Sequence, residues 1–187
     1  IIDGVEPGHA ILIEDGTVEL AVVTKDTDAV VAEAKNDGVI KNRKGVILPD
    51  SKLVLSILSE KDRQDLHFVL EEGVDFVGLS FVGSAEDIES VREEMRQVLG
   101  QDAPLPQIVA KIERKEAIKN LTAIVKSTDA VMVARGDLGA EVLMEELPYM
   151  QKKMVESTLK KGKYCTILMG DTRRNKMYQP LAFKIGR

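Results

Sequence analysis

Ala110-Lys111-Ile112-Glu113, read together with Val133-Ala134-Arg135-Gly136-Asp137-Leu138-Gly139, decides the fold of this chain. Each closes a run of small or β-branched apolar residues, Gln107 to Ala110 in the first case and Ala130 to Ala134 in the second. An apolar run of that length, flanked by helical patterns, predicts a strand buried on both faces. Charged residues at the ends of such strands stand where loops carry chemistry. Glu113 and Asp137, on neighbouring strand ends, suit a hard divalent ion that keeps most of its shell for water and substrate oxygens. Lys111 adds a point charge for a phosphate. Gly136-Asp137-Leu138-Gly139 predicts a loop whose backbone N–H groups approach an anion closely. The alternative reading leaves Lys111, Glu113, Arg135 and Asp137 as solvated charges capping two strands.

Outward from these runs the chain alternates strand and helix. Ser59-Glu60-Lys61-Asp62 opens a helix in capping-box form, with Leu66, Val69 and Leu70 at helical spacing and Gly73 at its end. A buried strand over Phe76 to Phe81 follows. Ser84-Ala85-Glu86-Asp87 opens the next helix, whose face carries Ile88, Val91, Met95, Val98 and Leu99. One helix carrying Ala117, Ile118, Leu121, Ile124 and Val125 separates the two runs quoted above. After the glycine loop a helix runs through Met150, Met154 and Val155 to Gly162, and Tyr164 to Met169 reads as a fourth strand. Repeated strand–helix units predict parallel strands joined by right-handed crossovers. Four such steps make half of an eight-stranded barrel, which typically needs about 250 residues. The expected fold class is therefore α/β, a partial (β/α) TIM-type barrel.

Residues before about 48 differ. Ala10 to Ile13, Val18 to Val23 and Ala29 to Ala34 are short strand candidates separated by Glu14-Asp15-Gly16, Lys25-Asp26-Thr27-Asp28 and Asn36-Asp37-Gly38. Asp-Gly between β-rich runs signals a hairpin, so part of a small antiparallel β domain is expected. The acidic residues between the strands read as solvated turns. The expected organisation is residues 1–48 in that β domain, 49–169 in the partial barrel, and 170–187 as a tail of unknown structure.

Composition narrows the function classes. With 187 residues and 44% apolar content, the chain suits one domain, or one small and one incomplete domain. Aromatics are 4% and Trp is absent, so the core is aliphatic. A net charge of −5 with no Lys/Arg-rich face argues against nucleic acid as partner; Lys160, Lys161 and Lys163 cluster at a helix end, where cations suit the dipole. No apolar stretch reaches the length of a membrane span and no signal peptide is visible. A single cysteine, Cys165, leaves no disulfide framework, which together point to a reducing, cytoplasmic compartment. The chain opens Ile1-Ile2-Asp3 without methionine, as a fragment or processed piece does. His9 and His67 have no ligands at metal spacing and read as surface residues; Met144, Met150 and Met154 read as core filling. No phosphate-loop motif is present.

Lys111-Ile112-Glu113 followed by Met132-Val133-Ala134-Arg135-Gly136-Asp137-Leu138-Gly139 closely resembles the pyruvate kinases. Lys44-Gly45-Val46-Ile47-Leu48-Pro49, Ser59-Glu60-Lys61-Asp62 and Asp75-Phe76-Val77-Gly78-Leu79-Ser80-Phe81 extend the likeness, which covers about residues 11 to 165. The resemblance implies the tail of a mobile lid domain followed by the middle of the barrel. It implies phosphoryl transfer from phosphoenolpyruvate to ADP, a step of glycolysis. By it, Glu113 and Asp137 hold magnesium or manganese, and Lys111 neutralises the phosphoryl group in flight. Backbone N–H groups of Gly136 and Asp137 receive the substrate carboxylate, and Ser80 and Phe81 line the same pocket. Arg135 matches a family residue, alternatively a structural ion pair. Potassium is also implied, with its ligands, like those of the nucleotide, outside this chain. A homo-oligomer, or pairing with the missing segments, is implied too.

Two departures from the family pattern bear on activity. Val82-Gly83-Ser84 replaces a basic pair, and Met169-Gly170-Asp171 stands where a threonine followed by Gln-Met is expected. Residues 170–187 show no resemblance. Two alternatives therefore stand beside the kinase: a non-catalytic relative that binds substrate or a partner, and a magnesium-dependent lyase on a pyruvate-binding barrel. The chain alone is expected not to phosphorylate ADP.

Overall fold

The computed structural model describes residues 4–14, 16–50 and 56–168. Met169, with the rest of the departure at Gly170-Asp171, lies outside the described residues. The chain divides into two compact units, Ile1–Leu55 and Ser56–Arg187.

The first unit is a four-stranded antiparallel sheet. Its strands are β1 (Ala10–Ile13), β2 (Val18–Lys25), β3 (Val30–Ala34) and β4 (Val46–Ile47), in the spatial order β3-β2-β1-β4. Val5, Ile13, Val18 and Val22 form its small core. Glu14 and Gly16 both take positive φ, which turns β1 into β2 with Ile13 opposite Val18. Asn36-Asp37-Gly38 does not form a hairpin, because the strand after it pairs with β1 rather than β3. The Asn36 side chain explains the difference. It accepts from the Glu19 N–H at 2.8 Å and donates to the Thr17 carbonyl at 2.9 Å, engaging the start of β2. Gly38 then crosses so close to Val18 that a Cβ there would lie 2.4 Å from its Cγ2.

The second unit is a four-stranded parallel sheet in sequence order, β5 (Phe76–Leu79), β6 (Gln107–Ile112), β7 (Ala130–Ala134) and β8 (Tyr164–Leu168). Six helices occur among the described residues: α1 (Glu60–Glu71), α2 (Ala85–Leu99), α3 (Lys115–Lys119), α4 (Leu121–Ser127), α5 (Arg135–Glu141) and α6 (Leu147–Leu159). α1 and α2 start where expected, each with both hydrogen bonds of a capping box, Ser59 with Asp62 and Ser84 with Asp87. Leu66 and Leu70 of α1 and Ile88, Val91 and Met95 of α2 pack on Ile108, Ala110 and Ile112 of β6 and Val131 and Val133 of β7 in one core. Burying each of the large aliphatic side chains contributes roughly 1.5–3 kcal/mol.

Four expectations are corrected. The strands are not buried on both faces. Residues in step with Ile108 and Val131 are covered, whereas Phe76 (60% exposed) and Tyr164 (83%), on the opposite face by register, are open. Among the described residues the four strands carry helices on one side and no opposing strands on the other. The first barrel strand stops at Leu79 rather than Phe81, because Phe81 takes φ 57 and leaves the extended conformation. The expected single helix after β6 breaks at Asn120 into α3 and α4; Asn120 donates from Nδ2 to the Gly83 carbonyl at 2.8 Å. The glycine loop is a helix, α5. Leu138 is fully buried, and Gly139 lets Met144 and Leu147 approach to 3.3–3.4 Å of where its Cβ would be. The long helix that follows begins only at Leu147.

Candidate active site at the strand ends

The carboxyl ends of β5, β6 and β7 lie side by side, since Leu79 pairs with Ala110 and Ile112 with Val133. Parallel βα units place functional groups at that end. Ser80 follows β5, Lys111 is the penultimate residue of β6, and Glu113 is the first residue beyond that strand. Lys111 Nζ donates to Ser80 Oγ at 2.7 Å and lies 2.5 Å from Glu113 Oε1. The Phe81 N–H donates to Glu113 Oε2 at 2.8 Å. Glu113 is 3% exposed, and each of its two oxygens has one of these partners. Removing one member of a buried pair costs roughly 3–5 kcal/mol because the other is left uncompensated.

Arg135, Gly136 and Asp137 form the first turn of α5, directly beyond β7, and all three are half-buried. N–H groups of a first helical turn have no partner within their helix. Asp137 thus stands on the strand end next to that of Glu113. Arg135 makes no ion pair among the described residues; Nη1 donates to Gln151 Oε1 at 3.0 Å, and its buried Nε has no hydrogen-bond partner. That link joins α5 to α6. A second clamp joins α5 to α3, where the Lys115 N–H donates to Glu141 Oε2 at 2.8 Å. Neither clamp was read from the sequence, and i to i+16 or i+26 spacing offers no local signal for them.

The turn after Phe81 is closed rather than open to a ligand. Val82 is fully buried, the N–H groups of Gly83 and Ser84 both donate to Asp87 Oδ2, and a Cβ on Gly83 would lie 3.2 Å from Glu116 Oε2. Glycine is what permits that approach. A pocket of about 380 Å³ between α1 and β5 is lined in part by Ser80 and Phe81. Its remaining walls are mostly aliphatic, and Asp62 and Asp65 would repel an anion, so it does not suit a phosphate.

Other residues singled out in the sequence fall elsewhere. His67 is not isolated: Nε2 lies 2.7 Å from Glu94 Oε1, and Arg63 pairs with the same carboxylate. His9 Nδ1 accepts from the Glu6 N–H. Met154 is fully buried and Met150 partly, whereas Met144 is 36% exposed. Lys163 reaches back to the carbonyls of Lys126 and Thr128, and desolvation pushes its pKa down. Among the described residues no three His, Cys, Asp or Glu side chains group as a metal site, and no helix is long and apolar enough to cross a membrane.

The family model described as pyruvate kinase, barrel domain, matches residues 1–176. The pyruvate kinase of Geobacillus stearothermophilus is 41% identical over 165 residues, covering 87% of this chain and 28% of that protein. That of Mycobacterium tuberculosis (strain CDC 1551 / Oshkosh) is 44% identical over 156 residues, covering 83% and 32%. The crystal structure of a pyruvate kinase from Cryptosporidium parvum superposes with a TM-score of 0.81 at 33% identity, over 89% of this chain and 35% of that one. The chain spans about a third of the length of these relatives. With the parallel sheet, the charged strand ends and the family model all in agreement, this chain belongs to the pyruvate kinase family.

Proposed function

We propose that this chain carries the metal- and phosphoenolpyruvate-binding part of a pyruvate kinase site, which in the complete enzyme moves a phosphoryl group from phosphoenolpyruvate to ADP. The observation that carries the reading is the Lys111 ammonium held between Ser80 Oγ and Glu113 Oε1 at the strand ends. A lysine so placed has its position set by two partners and keeps a third donor for a phosphate oxygen. In the transfer, the bond from phosphorus to the enol oxygen breaks as one to the ADP oxygen forms, and the enolate then takes a proton to become pyruvate. Lys111 stabilises charge on the phosphoryl in flight, a task of positioning and electrostatics. The N–H groups of Gly136 and Asp137 hold the substrate carboxylate.

Glu113 suits a hard cation on donor chemistry. A carboxylate offers about four lone-pair sites, and Lys111 and Phe81 use two. With Asp137 on the next strand end it supplies the oxygen ligands expected for magnesium or manganese. When bound, the cation supplies positive charge beside the enolate oxygen. Nucleotide and potassium ligands belong to parts of the enzyme outside this chain, and a cytoplasmic, glycolytic setting accompanies the reading. Family membership favours the kinase over the lyase alternative. One observation favours a non-catalytic relative instead: Gly83 and Ser84, packed against Asp87 and Glu116, replace a basic pair and bring no positive charge.

Calorimetric titration of Mg2+ or Mn2+ into the chain, Glu113→Gln and Asp137→Asn tests the reading. Each substitution should weaken binding by about 10-fold or more, judged from the 10–100-fold cost of losing even outer support. Equal affinity in all three chains contradicts it.

A further inference from the structure

Phe81 takes φ 57, a left-handed conformation in which a bulky residue is an outlier. Packing of its ring does not account for this, since Phe81 is 60% exposed. What the conformation achieves is a hydrogen bond. It turns the Phe81 N–H onto Glu113 Oε2 at 2.8 Å, while Lys111 Nζ faces Oε1 at 2.5 Å. The carboxylate is thus held by one partner on each oxygen. Strained backbone persists only where its surroundings over-determine it. Here they do: Ser80 is tied to Lys111, Val82 is fully buried, and Gly83 is fixed at its N–H by Asp87 and at its carbonyl by Asn120.

Resting on the reading of Glu113 as a metal ligand, we propose that Phe81 is a positioning residue. Its left-handed backbone aims the N–H that orients the Glu113 carboxylate for a divalent cation, and the phenyl ring has no part in it. The role therefore follows the backbone preference of whatever residue stands at 81. Asn and Gly visit the left-handed region at little cost, whereas a β-branched residue resists it.

The test is calorimetric titration of Mn2+ into the full chain and into Phe81→Asn, Phe81→Gly, Phe81→Val and Glu113→Gln, with circular dichroism to establish folding. The Asn and Gly variants should bind about as tightly as the parent, and the Val variant about 10-fold more weakly, as for lost support of a metal ligand. Parent-like binding by Phe81→Val, with Glu113→Gln weakened, overturns the positioning role and leaves the metal site standing. Weakening by Asn and Gly equal to that by Val makes the ring responsible and also overturns it. Unchanged binding in Glu113→Gln removes the metal reading and this inference together. If Phe81→Val does not fold, hydrogen exchange of the Phe81 amide decides: protection in the parent, increased by Mg2+ and lost in Glu113→Gln, supports the role, and fast exchange throughout overturns it.

Discussion

Glu113 and Glu94 are both buried carboxylates, and their partners give them different uses. Glu113 sits at a strand end with Lys111 and a backbone N–H. Glu94 joins two helices, α2 to α1, through His67 and Arg63. The hydrogen bond from His67, and after it the charge of Arg63, hold the Glu94 carboxyl below the usual glutamate range, against the upward push of burial. A depressed folded-state pKa adds stability that is present above the unfolded value, about 4.3, and is lost as pH falls through the folded one. Glu94→Gln should therefore cost about 1 kcal/mol at pH 7, because Arg63 and His67 face water. The difference should shrink in urea melts taken progressively below pH 4; a constant difference down to pH 2 would contradict the linkage. At this scale the sequence exposes Lys111 and Glu113, since charges ending an apolar run stand out. It hides Phe81 and Glu94, whose roles depend on partners 32 and 27 residues away.

At the scale of elements, legibility follows locality. The starts of α1 and α2 were readable because a capping box is an i, i+3 pattern. Ser84 accepts from the Asp87 N–H, and the Asp87 carboxylate takes the N–H groups of Ser84 and Gly83. Ser84→Ala should lower stability by about 1 kcal/mol by chemical denaturation, and by no more than about 2. An unchanged midpoint would mean the cap is idle. By contrast α5 and the break at Asn120 could not be read locally. Gly136 and Gly139 disfavour a helix by roughly 1 kcal/mol each relative to Ala, and packing of Leu138 with the approach of Met144 and Leu147 overrides them. Asn120 interrupts a continuous apolar pattern only because Gly83 offers it a carbonyl across the fold.

In the whole molecule, the second unit presents a sheet covered on one face, with Phe76, Tyr164 and Leu168 exposed, and with β5 and β8 at its edges among the described residues. Strands expected to be buried on both faces are half-open because the helices lie on one side. Open parallel edges and an apolar face favour association. The chain by itself should therefore sediment above the mass of one chain and release no pyruvate from phosphoenolpyruvate and ADP in a coupled assay. Robust turnover by a monodisperse monomer would contradict the half-barrel account.

The most direct test of the central claim is the coupling between cation and substrate. In the proposed function metal and phosphoenolpyruvate share Glu113, Asp137 and Lys111, and coupling between two ligands is reciprocal. Phosphoenolpyruvate affinity should be measured by calorimetry with and without saturating Mn2+, in the chain, in Glu113→Gln and in Lys111→Met. The account predicts that Mn2+ tightens phosphoenolpyruvate binding about 10-fold, within the usual range for coupled sites. Glu113→Gln should abolish that enhancement, and Lys111→Met should weaken substrate more than it weakens Mn2+. Phosphoenolpyruvate affinity that is the same with and without Mn2+, and in all three chains, would contradict it.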